Sequence, residues 1–284
     1  MPSNEQRREA AKRKLERQLV RRAQRARRRR VIGISVTLVV VLALGGGIWW
    51  LATLPPSSAN AENSPSTTSA PPAKTSGGPC KYTETPDAPA VKEAGGLPQD
   101  PNPTPKTGTV ALDLKTSAGD IPVTLDRAKA GCTVQSIEHL VKAKYYDNSP
   151  CHRETSGQLN VLQCGDPKGT GSGGPGYTIP DEKPTDLKPT TAEGAPAGTK
   201  LVTYPRGTIA MAKTQAPNSG GSQFFLVYKD STLTPDYTVF GTVSEAGLAT
   251  LDKIAGEGIN PAPQNGQGDG APKTPVTITQ ATIA

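Results

Sequence analysis

Two short stretches hold most of the side chains able to do chemistry. One is Cys151-His152-Arg153, with Gln163-Cys164-Gly165-Asp166 twelve residues on. The other is Gly221-Ser222-Gln223-Phe224-Phe225-Leu226, followed by Val239-Phe240-Gly241. The chain has three phenylalanines, and all of them fall in these pieces. A serine-hydrolase triad finds little support, because no G-x-S-x-G elbow is present. The two histidines are His139, in a helical stretch, and His152. Cys151 and His152 are neighbours on a strand and point to opposite faces, so they do not form a metal site. Taken alone, Arg153 reads as a surface ion pair. What these stretches contain is an arginine, amide side chains and aromatic rings, next to predicted strands.

The elements that position them begin near Lys106. Val110 to Thr116 alternates apolar and polar, Ala118-Gly119-Asp120 turns, and Ile121 to Leu125 alternates again. That pattern predicts a hairpin with one buried face. A helix is expected over Thr133 to Lys144, capped by Thr133, with Val134, Ile137, Leu140 and Val141 on its inner face. Strand candidates follow at about Ser149–Glu154, Leu159–Cys164, Thr208–Ala212, Gln223–Tyr228 and Thr238–Val243, with a long Gly/Pro-rich loop from Gly165 to Tyr204. Glu245 to Gly256 reads as a second helix and Val276 to Ile283 as a last strand. Many short strands and two helices indicate an antiparallel barrel or sandwich with helices at its ends.

The order of these pieces resembles the cyclophilins, a family of peptidyl-prolyl cis–trans isomerases. The hairpin T-x-x-G-D-I is similar to the family's opening. Tyr146-Asp147-Asn148-Ser149 and the following C-H-R resemble Y-x-x-x-x-F-H-R. V-L-Q-C-G-D and G-T-G-S-G-G-P-G-Y resemble Q-G-G-D and its glycine loop. Met211-Ala212, Asn218 and G-S-Q-F-F resemble M-A-N…N-x-x-G-S-Q-F-F, and Val239-Phe240-Gly241 resembles V-F-G. The resemblance covers about Thr107 to Ile283. It implies a mainly β fold, a closed eight-stranded antiparallel barrel capped by two helices. It implies that Arg153 is catalytic, with Gln163 orienting it or bonding the substrate. It assigns Phe225, Gln223, Val161, Ala212, Lys213, Thr214 and Tyr237 to substrate binding. The family's second pocket phenylalanine has no clear match, which leaves Leu159 or Asn160. A position that is often Trp is Thr232, which is expected to weaken cyclosporin-type ligands more than catalysis. Lys213 stands where the family has Asn, a residue acting mainly through its backbone. No cofactor or metal is implied. The expected partners are Pro-containing polypeptides, and the catalytic domain is expected to be a monomer. A binding module that holds such peptides with little turnover is the alternative.

The rest of the chain places this domain. Formal net charge is +7, but residues 1–30 hold 13 Lys/Arg against 3 Asp/Glu, and the remainder is net acidic. The basic balance belongs to the arm, so nucleic acid is not an expected partner. Val31 to Leu54 carries no charge over 24 residues, long enough to span a bilayer as a helix. Trp49 and Trp50 lie near one end, and Arg27 to Arg30 abut the other. This predicts a single-pass signal-anchor in a bacterial cell membrane, in contact with lipid over residues 31–54. Its N-terminus is cytoplasmic and the catalytic domain lies outside. A cleaved signal peptide would have a shorter arm and a shorter apolar run. Residues 55–105 contain 12 prolines and few large apolar groups and read as an extended, disordered tether. Residues 106–284 are the isomerase domain that the resemblance implies. Cys80, Cys132, Cys151 and Cys164 permit three pairings; a Cys151–Cys164 bond is conceivable, and buried free thiols are the other reading.

Overall fold

The computed structural model describes residues 73–284 apart from 193, 197 and 262–267. The basic arm 1–30 and the apolar run 31–54 lie outside the described residues. Among the described residues no helix is long and apolar enough to cross a membrane.

Sixteen strands and two helices follow one another among the described residues. They are β1 (Thr83–Glu84), β2 (Thr109–Thr116), β3 (Gly119–Asp126), α1 (Arg127–Lys142), β4 (Ser149–Cys151), β5 (Arg153–Ser156), β6 (Val161–Cys164), β7 (Tyr177–Thr178), β8 (Lys188–Thr190), β9 (Leu201–Tyr204), β10 (Thr208–Met211), β11 (Phe224–Val227), β12 (Ser231–Leu233), β13 (Val239–Val243), α2 (Glu245–Glu257), β14 (Ile259–Asn260), β15 (Gly268–Pro272) and β16 (Val276–Ile283). The main sheet has eleven strands in the order β14-β15-β5-β6-β11-β10-β13-β3-β2-β16-β4. Every pairing in it is antiparallel. The expected closed eight-stranded barrel is therefore corrected: the ladder is an open, curled sheet. Its curl has a covalent cause. β4, at one end of the order, and β5, third from the other, are separated in sequence only by His152.

Alternation along the central strands builds two apolar layers. Leu162, Phe224, Leu226, Ile209, Met211 and Phe240 point into the main core. Val161, Phe225, Val227, Ala210 and Val239 point to the opposite face, where they cluster with Val202 and Tyr204. A strand buried on both faces has no polar side, and this is why β10 and β11 read as near-continuous apolar runs. Burial of each such side chain is worth about 2 kcal/mol.

α1 starts earlier than expected. Asp126 accepts the Ala128 N–H and caps a first turn, and the backbone departs from helical values at Ala130. A second cap follows. The Glu182 carboxylate accepts the N–H groups of Cys132 and Thr133 at 3.1 and 2.8 Å, and the Thr133 hydroxyl at 2.8 Å. Thr133 is thus held by a cap from a distant loop instead of supplying one. In α2, Ser244 Oγ accepts the Gly247 N–H, and Leu248, Leu251 and Ile254 form the buried stripe.

The tether expected over 55–105 is corrected for its described part. Residues 73–105 form a strap packed on the domain. Cys80 and Tyr82 are fully buried. Cys80 is disulfide-bonded to Cys132 of α1, and the Tyr82 hydroxyl donates to the Cys132 carbonyl at 2.8 Å. β1 pairs with β7, and Asp100 accepts the backbone N–H groups of Cys80 and Lys81. The second pair, Cys151–Cys164, joins β4 to β6. No cysteine is free, so the free-thiol reading is also corrected. The loop expected from Gly165 to Tyr204 contains β7, β8 and β9. β8 and β9 join β12 in a separate three-stranded sheet.

Candidate active site

Register brings the candidate residues into one row. Arg153 of β5 pairs with Gln163 of β6. Gln163 pairs with Phe225 of β11, and Phe225 pairs with Ala210 of β10. Paired residues in an antiparallel sheet share a face. One face therefore carries a guanidinium, an amide and an aromatic ring in line, beside the second apolar layer.

The polar half of the row is a hydrogen-bonded chain. The Arg153 Nη1 group donates to Gln163 Oε1 at 3.1 Å. Gln163 Nε2 donates to Gln223 Oε1 at 2.9 Å. Gln223 Nε2 donates to the carbonyls of Gly171 and Gly173, each at 3.0 Å. These contacts fix which end of each amide faces which neighbour. The glycine loop is held in turn by Asp166, whose carboxylate accepts the N–H groups of Lys168, Thr170, Gly171 and Gly173.

Arg153 has a further partner that the sequence reading missed. Asp269 of β15 accepts from Arg153 Nε at 2.7 Å and from Nη2 at 2.8 Å. Its hydrogen bond raises the arginine's pKa further and lowers its own. Asp269 lies opposite Thr155 in the ladder, diagonal to Arg153. The signal for it, a lone Asp within a Gly/Pro-rich segment after α2, carried no register information.

The apolar half is built around Phe225. Its ring meets Tyr237 edge-on at 5.6 Å, and Tyr204 lies 6.4 Å from each of them. Val161 is buried in the same layer, with Leu159, Leu187, Ala212, Leu233 and Tyr237 partly exposed against it. Leu187 and Leu233 come from or next to the three-stranded sheet and were not anticipated. Of Leu159 and Asn160, it is Leu159 that packs against this layer. Asn160 is spent on the loop itself: its amide bonds Gly157 and the Asp230 carbonyl.

Two expected wall residues turn elsewhere. Lys213 Nζ donates to Asp181 at 2.9 Å in a nearly buried ion pair, so its side chain is committed to the fold. Thr214 bonds Ser219 and caps the Ala216 N–H. Ala212 donates its N–H to the Gln223 carbonyl and keeps its place beside the row. His152 has both ring nitrogens without a partner, and burial lowers its pKa, which favours the neutral form beside Arg153. Among the described residues no group of His, Cys, Asp and Glu is arranged to hold a metal.

The family described as cyclophilin type peptidyl-prolyl cis-trans isomerase/CLD matches residues 111–283. The chain is 45% identical over 303 positions to the probable peptidyl-prolyl cis-trans isomerase B of Mycobacterium leprae, covering 98% of each. It is 44% identical over 213 positions to the protein of the same description in Mycobacterium tuberculosis, covering 73% of this chain and 64% of that one. A cyclophilin-type isomerase structure from Cryptosporidium parvum superposes with a TM-score of 0.48 at 24% identity, covering 62% of this chain and 98% of that one.

Proposed function

The chain belongs to the cyclophilin-type peptidyl-prolyl cis–trans isomerases and is an enzyme of that type, and we propose that it isomerises X-Pro bonds in polypeptides folding outside the cytoplasm, from a domain anchored to the cell membrane. The observation that carries the catalytic part is the row Arg153–Gln163–Phe225.

Rotation about a peptide bond meets a barrier of about 18–20 kcal/mol because the C–N bond is partly double. Catalysis requires only that the site prefer the twisted amide to both planar forms. Twisting breaks resonance and leaves the proline nitrogen pyramidal and more basic. Arg153 commits three N–H donors to Asp269 and Gln163. A guanidinium has five, so one remains on each terminal nitrogen. Those two groups meet the proline unit and stabilise the twisted state. Phe225, Val161 and Leu159 receive the proline ring, with Tyr237 closing one side. Gln163 holds the guanidinium, and Gln223 holds Gln163. No covalent intermediate is needed.

The extracytoplasmic placement rests on three features. The uncharged run 31–54 is long enough to span a bilayer. The arginines before it favour a cytoplasmic N-terminus. All four cysteines are paired, as suits an oxidising compartment.

The test is a protease-coupled assay on a short X-Pro peptide with the purified full-length protein in detergent. Wild-type protein accelerates the slow phase. Arg153→Ala, checked for native circular dichroism, loses roughly 100-fold or more. Peptide binding without acceleration by the wild type would instead favour a Pro-peptide-binding module.

A further inference from the structure

The mechanism uses the two free N–H groups of Arg153 but leaves open what aims them. Arginine is long and flexible, and on β5 it sits at a partly open surface, with 38% of its side chain exposed. Gln163 reaches one terminal nitrogen only. A single hydrogen bond leaves the guanidinium free to swing about it. Asp269 approaches from the other edge and takes Nε and Nη2 together at 2.7 and 2.8 Å. Two parallel bonds to one planar group fix the plane as well as the position.

We propose that Asp269 is a positioning residue for isomerisation: its carboxylate clamps the Nε edge of Arg153 and so directs the remaining N–H groups at the substrate. This rests on the reading of Arg153 as the catalytic arginine.

Three observations support it. The contact is side-on, so it occupies the edge a substrate does not need and leaves the tips open. Asp269 is itself 62% exposed, and pairs so placed contribute little to stability; a merely structural purpose is therefore a weak account of it. Its strand is also separately anchored. β15 pairs with β5 through Gly268, Asp269 and Gly270 and with β14 on its other side. The Gly270 position lies against the backbone of Asn260, where an added Cβ would come within 2.4 Å of the Asn260 carbonyl oxygen. The carboxylate is thus carried by backbone that holds its place without the ion pair.

The experiment compares wild type, Asp269→Asn and Asp269→Glu in the same full-length preparation, with kcat and KM resolved separately. Asn keeps the size but accepts only one of the two bonds, and its amide group opposes a guanidinium N–H. The expected result for Asp269→Asn is a fall in kcat of about tenfold or more with KM within about twofold, and partial recovery in Asp269→Glu. A second measurement needs no variant. In ¹⁵N spectra of wild type, the Arg153 Nε–H is expected to exchange slowly with solvent compared with exposed arginines. Unchanged kcat in Asp269→Asn, or an Arg153 Nε–H exchanging as fast as exposed ones, overturns the proposal. If Arg153→Ala keeps wild-type turnover, the underlying reading of Arg153 fails as well. If Arg153→Ala is inactive while Asp269→Asn is not, only the clamp is refuted.

Discussion

Lysine at position 153 would keep the charge of Arg153 and lose its fork. A lysine ammonium cannot bond Asp269 along one edge, Gln163 at another and a substrate at the tips. Arg153→Lys is therefore expected to fall within about tenfold of the Arg153→Ala rate in the same peptide assay; a lysine variant close to wild type would show that charge alone suffices. The next residue tells a different story. Glu154 is 1% exposed, opposite Leu162 on the core face of the sheet. Its Oε2 has no partner, and burial pushes its pKa from 4.5 up to about 7. The folded state thus holds this proton more tightly than the unfolded chain. The contribution of Glu154 to stability is greatest below about pH 4.5, falls as pH rises to about 7, and stays reduced above. Glu154→Gln is expected to flatten that slope and to gain roughly 2 kcal/mol at about pH 8 in urea unfolding. An equal gain at about pH 5 would argue against titration as the cause. Motif matching made Arg153, Gln163, Gln223 and Phe225 legible in the sequence. Asp269 was not, because its place depends on the pairing of β15 with β5. Nor was the packing of Leu159, in place of Asn160, against the Phe225 layer, which turns on where one amide finds partners.

Elements were legible where burial imposes a period. β2, β3 and β16 appear close to their expected limits, because alternation marks them. The strap was not legible, and the reason is physical. Its composition is poor in large apolar residues, and composition alone predicts coil. A buried tyrosine, a disulfide and a carboxylate that gathers backbone N–H groups stand in for a core of its own. The Cys80–Cys132 bond closes a span of 52 residues. Replacing both cysteines by serine is expected to cost about 3 kcal/mol in denaturant unfolding. A midpoint unchanged from wild type would show that the strap docks unaided. The strap also reaches the site indirectly. Thr85 and Val91 donate to the carbonyls of Gly176 and Gly174, in the loop whose Gly171 and Gly173 carbonyls hold Gln223.

At the scale of the whole molecule stand the order of the ladder and the proposed membrane anchor. The open order of the sheet was hidden because strand candidates do not reveal which ends pair. The strand expected over 149–154 is split at His152, and its halves join opposite regions of the ladder. For the proposed anchor, the expected outcome is retention of the full-length protein in membranes after carbonate extraction. Protease added from outside is expected to remove the catalytic domain and spare the basic arm. Release into the carbonate supernatant would count against the anchor.

If the chain is anchored in this way, the docked strap also decides where mechanical load enters the domain. Among the described residues, a pull from the N-terminal side reaches the strap before it reaches residue 106. It meets first the short hairpin in which Ser76 bonds the Tyr82 carbonyl and Glu84 bonds the Lys74 carbonyl. Those hydrogen bonds yield before a covalent bond does, and the slack then ends at Cys80–Cys132, which passes the force into α1. The strand row bearing Arg153, Gln163 and Phe225 lies beyond that stop. Under such a pull the disulfide would be a strain relief, like the clamp on a cable, set ahead of the catalytic register.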